Sequence, residues 1–157
     1  MTKTKVVIVE GPDGTGKSTW AKTLAERQQW SYFPPLGPSS PDRLLSHTKA
    51  ALRPSPGGGR VVDRLILSEI VYSRFYGRPE APIDWGRLVT WAQKSGVDVS
   101  VVLFFRQPPI LSPQDQELAP RWDKLLNLYV TVGIPYLFKL GIPFTTVSRW
   151  EVEPCWF

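Results

Sequence analysis

Between Gly11 and Ser18 the chain reads GPDGTGKS, with glycines at 11, 14 and 16, then a lysine and a serine. This is the spacing G-x-x-x-x-G-K-[ST], and here it follows an apolar run and precedes a helix-compatible stretch, as its mechanism requires. Glycines remove side chains, so successive backbone N–H groups can close around phosphate oxygens, while the helix N-terminus adds its positive dipole end. Gly11, Asp13, Gly14, Thr15, Gly16, Lys17, Ser18 and Thr19 therefore read as a cradle for the phosphates of ATP. Lys17 is placed for the β- and γ-phosphates, the Ser18 hydroxyl for Mg²⁺, and Thr19 for the α-phosphate.

A second constellation is Asp63-Arg64, an acid and a cation that close the apolar segment RVVDR. The carboxyl end of a parallel strand is where ligands bind in open α/β sheets. Ser68 and Tyr72 follow four residues apart on a helical stretch, so they share a face that either looks toward a second ligand or packs on the core.

These groups need elements that bring them together. Short apolar runs alternate with helical patterns, which predicts a parallel sheet covered by helices. Strands are expected at Val6–Val9, in WSYF near residue 32, in RVVDR, in VSVVLFF and in FTTV. Helices are expected from Lys17 to about Gln28, after Ser40 as N-cap with Pro41 at the first helical position, over LILSEIVYSRFYG, and after Asp84 as a cap. Further on, Ser112 and Pro113 open a short helix, and RWDKLLNLYVTVGIPYLFKL reads as a separate long helix weakened by Gly133 and Pro135. The expectation is a five-stranded parallel α/β sheet with helices on both faces, in a single domain over residues 1–157.

Composition agrees with that reading and excludes others. A chain of 157 residues supports one sizeable core, and the GGG at Gly57–Gly59 is a loop with too few residues on either side for two. No stretch approaches the roughly 18 apolar residues of a membrane span. One cysteine, Cys155, forms no intrachain disulfide, so a soluble protein in a reducing cytoplasm is expected. The formal charge of +5 favours anionic ligands. However, the cations are scattered, at Lys3, Lys5, Arg27, Arg74 and Arg78 among others, without a basic run or a ladder of alternating aromatics. A small-molecule nucleotide partner is therefore expected rather than tight nucleic-acid binding, with no membrane partner and with a homodimer left open. His47 and Cys155 have no metal or triad spacing and read as structural.

EGPDGTGKST resembles the phosphate loop of the thymidylate kinase and deoxynucleoside kinase group, where the form is G-x-D-G-x-G-K-S-T. The resemblance implies a P-loop NTPase fold like that of nucleoside monophosphate kinases, with compact phage-type deoxynucleoside monophosphate kinases the nearest in size. It implies that Asp13 faces the acceptor and contacts its sugar. VVDRLILS is similar to the group's D-R segment, which implies that Arg64 grips the acceptor phosphate and Asp63 serves the Mg²⁺ or hydroxyl side; Leu65 stands where the group has an aromatic residue. Tyr32, Phe33 and Pro34 resemble the segment that lines the acceptor base pocket, with Phe33 equally readable as core. Members carry an arginine-rich lid after the fourth strand. Here the corresponding segment, around 106–121, offers only Arg106 and Arg121 as transition-state arginines, with Asp115 and Glu117 between them.

The function expected on this basis is nucleotide biosynthesis by ATP- and Mg²⁺-dependent transfer of a γ-phosphoryl group to a deoxynucleoside monophosphate. The catalytic candidates are Lys17, Asp63, Arg64, Arg106 and Arg121, with Asp13, Phe33, Arg64, Ser68 and Tyr72 on the acceptor and Ser18 and Asp63 on the metal. Two alternatives stand beside it. One is a kinase of a hydroxyl, on a nucleoside, a nucleic-acid end or a modified base, in which Asp63 or Asp13 accepts a proton. The other is a nucleotide-binding switch without turnover.

Overall fold

The alternation of side chains along β1, Thr4–Glu10, decides what each face of the sheet buries. Successive residues of a strand point to opposite faces. Val6 and Ile8 accordingly enter one core cluster and Val7 and Val9 the other. The structure, a computed structural model, describes residues 2–12, 15–37, 39–55, 57–105 and 113–148, with the backbone alone for 113–119.

β1 lies at the centre, paired in parallel with β3, Gly59–Asp63, and with β4, Val97–Phe104. β2, Ser31–Phe33, joins β3, and β5, Phe144–Val147, joins β4, again in parallel, so the order is β2-β3-β1-β4-β5. The expected five-stranded parallel sheet with helices on both faces is thus the observed one. Helix α1, Lys17–Gln28, covers one face through Trp20, Ala21, Leu24 and Ala25. The opposite face carries α2, Pro41–Leu52; α3, Ile66–Phe75; α4, Trp85–Lys94; α5, Pro113–Leu128; and α6, Ile134–Leu140. The Ser40 hydroxyl accepts from the Arg43 N–H at 3.3 Å and the Asp84 carboxylate from the Arg87 N–H at 3.0 Å, so both expected N-caps form.

The C-terminal helices differ from the sequence expectation. No break separates a short helix from a long one near residue 120; α5 runs through Pro120 to Leu128. The interruption comes later, as a π-helical turn at Tyr129–Gly133, after which α6 resumes. Pro135 has no N–H to donate, and its ring would collide with the carbonyl four residues back in a regular α-helix. Widening the preceding turn to π geometry relieves this, and such turns recur at functional sites. Among the described residues no helix is long and apolar enough to cross a membrane.

Topology fixes where a ligand can sit. From β1 the chain moves outward to β2 and returns to β3; from β3 it crosses to β4 on the other side of β1. This reversal opens a crevice above the carboxyl ends of β1 and β3, the position where open parallel sheets bind ligands. Val9 is in register with Asp63 and Glu10 with Leu103, so those ends lie level.

Candidate active site

The loop after β1 is shaped by close backbone approach. Gly11 has φ 138°, and a Cβ there would lie 2.8 Å from the Phe104 carbonyl oxygen, so only glycine fits. Gly16, at φ 78°, is the N-cap of α1 and supplies no side-chain cap, which leaves the first-turn N–H groups open to an external anion. The buried Thr15 hydroxyl donates to the Pro12 carbonyl at 3.0 Å and braces the loop. Lys17 folds over the same carbonyl, with Nζ at 3.5 Å, and is 4% exposed. Burial lowers its pKa, while the Asp63 and Glu10 carboxylates pull it back upward.

Across the crevice, Asp63 ends β3 and is fully buried. Its Oδ2 accepts from the Ser18 hydroxyl at 2.5 Å and from the Tyr32 hydroxyl at 2.8 Å. Burial and the bond to Asp63 raise the Tyr32 pKa, so this phenol stays a donor at neutral pH. Asp63 Oδ1 is buried with no hydrogen-bond partner among the described residues. An unmatched carboxylate oxygen beside a hydroxyl suits a hard cation, and Mg²⁺ is typically held by one or two carboxylates, with waters and substrate phosphates completing its shell. Ser18 and Asp63 therefore fit the ion assigned to them from the sequence.

The next residue turns sharply. Arg64 has φ 68°, a left-handed conformation uncommon for a residue with a side chain and of a kind that clusters at ligand sites. Its N–H donates to the Val9 carbonyl at 2.9 Å, and its guanidinium lies 5.2 Å from the Tyr72 ring centre. Tyr72 stacks in turn on Tyr76, centroids 6.2 Å apart. These three residues form one wall of a cleft of about 720 Å³, faced by Leu36, Leu44 and His47. The volume is in the range of small-molecule sites. Glu69 holds the far rim: one carboxylate oxygen accepts from the Ser73 hydroxyl at 3.1 Å, Arg78 at 3.3 Å and the Ala81 N–H at 3.0 Å.

Of the residues singled out from the sequence, Lys17, Ser18 and Asp63 converge at one end of the crevice, and Arg64, Ser68 and Tyr72 line the cleft. Thr19 is exposed on α1. Phe33 packs against the core and tilts against His47, 5.7 Å between ring centres; it is His47, read from the sequence as structural, that reaches the cleft wall. Arg121 is exposed on α5 and is not among the residues lining the cleft. Asp13, Gly14, Arg106 and Cys155 lie outside the described residues. Three participants escaped the sequence reading: Glu10, Glu69 and Tyr129. The signal for Glu10 was available, since a carboxylate directly after four buried strand residues needs partners.

No protein-family model and no curated protein sequence matches the chain. Solved structures do. The YorR protein of Bacillus subtilis, in complex with phosphorylated GDP, superposes with a TM-score of 0.61 at 20% identity, over 92% of this chain and 84% of that one. The NadR protein, in complex with NR, superposes with a TM-score of 0.52 at 16% identity; this chain is covered to 95% but spans about half, 47%, of NadR. At such identities the likeness is one of fold. The sheet order, the loop after β1 and these neighbours together define an α/β P-loop NTPase fold.

Proposed function

We propose that this chain transfers the γ-phosphoryl group of ATP to the phosphate of a nucleotide, with a deoxynucleoside monophosphate as acceptor. The observation that carries this reading is the arrangement at the ends of β1 and β3: an open phosphate loop with Lys17 and Ser18 meets Asp63, and the adjoining Arg64 faces a separate cleft. Two neighbouring compartments suit two substrates. That YorR was solved with a phosphorylated guanine nucleotide is in keeping with a nucleotide ligand on this fold.

In this reading an acceptor phosphate oxygen attacks the γ-phosphorus, the bond to the β-γ bridging oxygen breaks, and ADP leaves beside a nucleoside diphosphate. Lys17 and the open N–H groups of α1 hold the β- and γ-phosphates, and Arg64, with a planar fork of donors, holds the acceptor phosphate. Ser18 and Asp63 would hold Mg²⁺, which would supply charge neutralisation to the phosphates. Tyr72 and Tyr76 offer aromatic surface for the acceptor body. A monophosphate already presents a nucleophilic oxygen, so no protein base is required. Asp63 Oδ1, which has no hydrogen-bond partner among the described residues, then stays available to the metal. The cleft also mixes Arg64 and Arg78 with Glu69 and Glu80, unlike the uniformly basic track a polynucleotide requires. An ATP-rich cytoplasm is the setting this reading supposes.

The test is a turnover screen of ATP with Mg²⁺ against all ribo- and deoxynucleoside monophosphates, nucleosides and short DNA. ADP formation dependent on one or a few monophosphates is expected. Phosphorylation of nucleosides or DNA alone would replace this reading with a hydroxyl kinase, and nucleotide binding without turnover on any acceptor would replace it with a switch module.

A further inference from the structure

Helix α3 begins at the cleft with a residue that cannot cap it: its N-cap is Leu65, which makes no side-chain cap bond. The cap comes instead from Glu10, the last residue of β1, 55 positions earlier than Leu65 and 0% exposed. Glu10 Oε1 accepts from the Leu65 N–H at 2.8 Å and the Leu67 N–H at 3.1 Å. Oε2 accepts from the Ser68 N–H at 3.1 Å and the Ser68 hydroxyl at 2.5 Å. A carboxylate has about four lone-pair sites, and here all are occupied. Because Ser68 donates to Glu10, the Tyr129 hydroxyl, 3.3 Å away and fully buried, donates to Ser68. One carboxylate thus links the strand that leads into the phosphate loop, the first turn of α3 and the π-helical turn after α5.

We propose that Glu10 is a positioning residue, which holds Arg64 in its left-handed conformation and aims it at the acceptor phosphate. The turn is clamped from both sides by the last two residues of β1: the Arg64 N–H on the Val9 carbonyl and the following N–H on Glu10. A non-glycine residue keeps such a backbone only where its surroundings over-determine it. Four filled lone-pair sites also leave Glu10 nothing with which to take a substrate proton or ligate a metal. Its effect on transfer passes through Arg64 and α3, and through the negative charge it presents to Lys17. Buried without solvent, it lies beyond the reach of either substrate, so its contribution is geometric and electrostatic only. Burial lifts its pKa, and its donors and the nearby Arg64 oppose that rise.

This proposal rests on the reading of Arg64 as the acceptor's phosphate holder. The experiment compares wild type with Glu10→Gln and Ser68→Ala, with dTMP, dCMP, dAMP and dGMP each as acceptor and ATP varied separately. In Glu10→Gln an N–H₂ replaces one acceptor oxygen and faces an N–H, so the acceptor KM should rise by on the order of tenfold or more while the ATP dissociation constant changes less than about threefold. Hydrogen exchange should lose protection at the amides of 65–68 and keep it in α1. Ser68→Ala removes one of the four bonds and the partner of the Tyr129 hydroxyl, keeps the other three, and should shift acceptor KM in the same direction by a smaller factor. Unchanged acceptor KM in both variants, or equal losses for ATP and acceptor, would overturn the positioning role. A wild-type chain without turnover would instead defeat the kinase reading, and exchange at 65–68 would still report whether Glu10 holds the turn.

Discussion

The two ends of the crevice are built by different means. On the donor side the phosphate loop is local: Pro12, Thr15, Gly16 and Lys17 are neighbours in the chain, and their hydrogen bonds span three to five residues. On the acceptor side the bonds that set Arg64 and Ser68 are long-range. Arg64 is set by Val9 and Glu10, Ser68 by Glu10 and Tyr129, and the cleft wall by residues from α2, α3 and the loops beside them. A local loop keeps its shape while the surrounding sheet stands; an arginine held by distant partners changes aim when any one of them is altered. Substitutions should therefore act on the donor side through chemistry and on the acceptor side through geometry.

The strongest test of that division is Lys17→Ala. Loss of the ammonium from the phosphate cradle should lower kcat by about 10³-fold or more, in line with the removal of a preorganised charge from a transition state. The fold should persist, because the variant also removes a buried charge that burial disfavours. Steady-state kinetics beside a thermal melt would check both parts, and near-wild-type transfer would break the donor assignment.

Arg64→Lys should follow, with a fall of roughly 10²-fold in kcat/KM for the acceptor and little change for ATP. Lysine keeps the charge but loses the planar fork and the contact on Tyr72. Kinetics with each substrate varied in turn would show it. A loss confined to ATP would move Arg64 to the donor side and erase the contrast.

A smaller effect concerns protons. Burial lowers the Lys17 pKa in the free protein, and bound polyphosphate would raise it. Between the two values binding takes up a proton, so ATP affinity should fall as pH rises through that window, by no more than about tenfold per pH unit for a single group. Calorimetry in buffers of different ionisation heat would register the uptake, and Lys17→Met should abolish it.

The smallest expected effect is that of salt on acceptor binding. A polynucleotide site releases a counterion per phosphate, giving a slope near −0.9 per contact in log affinity against log salt. The mixed charges of the cleft predict a slope of about one contact or less for a monophosphate and weak binding of labelled DNA. Tight DNA binding with a slope of six or more contacts would extend the acceptor side far beyond the cleft.

Much of this architecture was legible without coordinates because it rests on short-range rules. Period-2 and helical patterning gave five strands and their helices, Ser40 and Asp84 announced their caps, and the G-x-x-x-x-G-K-S spacing announced the tight turn between β1 and α1. The C-terminal helices were divided at the wrong place because Gly133 and Pro135 signal a fault in hydrogen bonding, and whether a chain answers by ending the helix or by widening one turn depends on what packs around it. Gly133 there lies against Leu67, a contact no local pattern predicts.

What the sequence determined by itself, then, is whatever depends on neighbours along the chain: the parallel α/β class, the glycine-rich turn between β1 and α1, and the Asp63-Arg64 pair at a strand end. Tertiary structure decided that Ser18 meets Asp63 across 45 residues, that Tyr32 joins them, and that Glu10 caps a helix to which it is not joined. The reason is physical. A hydrogen bond between distant residues leaves no period or spacing in the sequence, and a buried carboxylate shows only that partners must exist; where they are is settled when the parallel sheet brings the ends of β1 and β3 side by side.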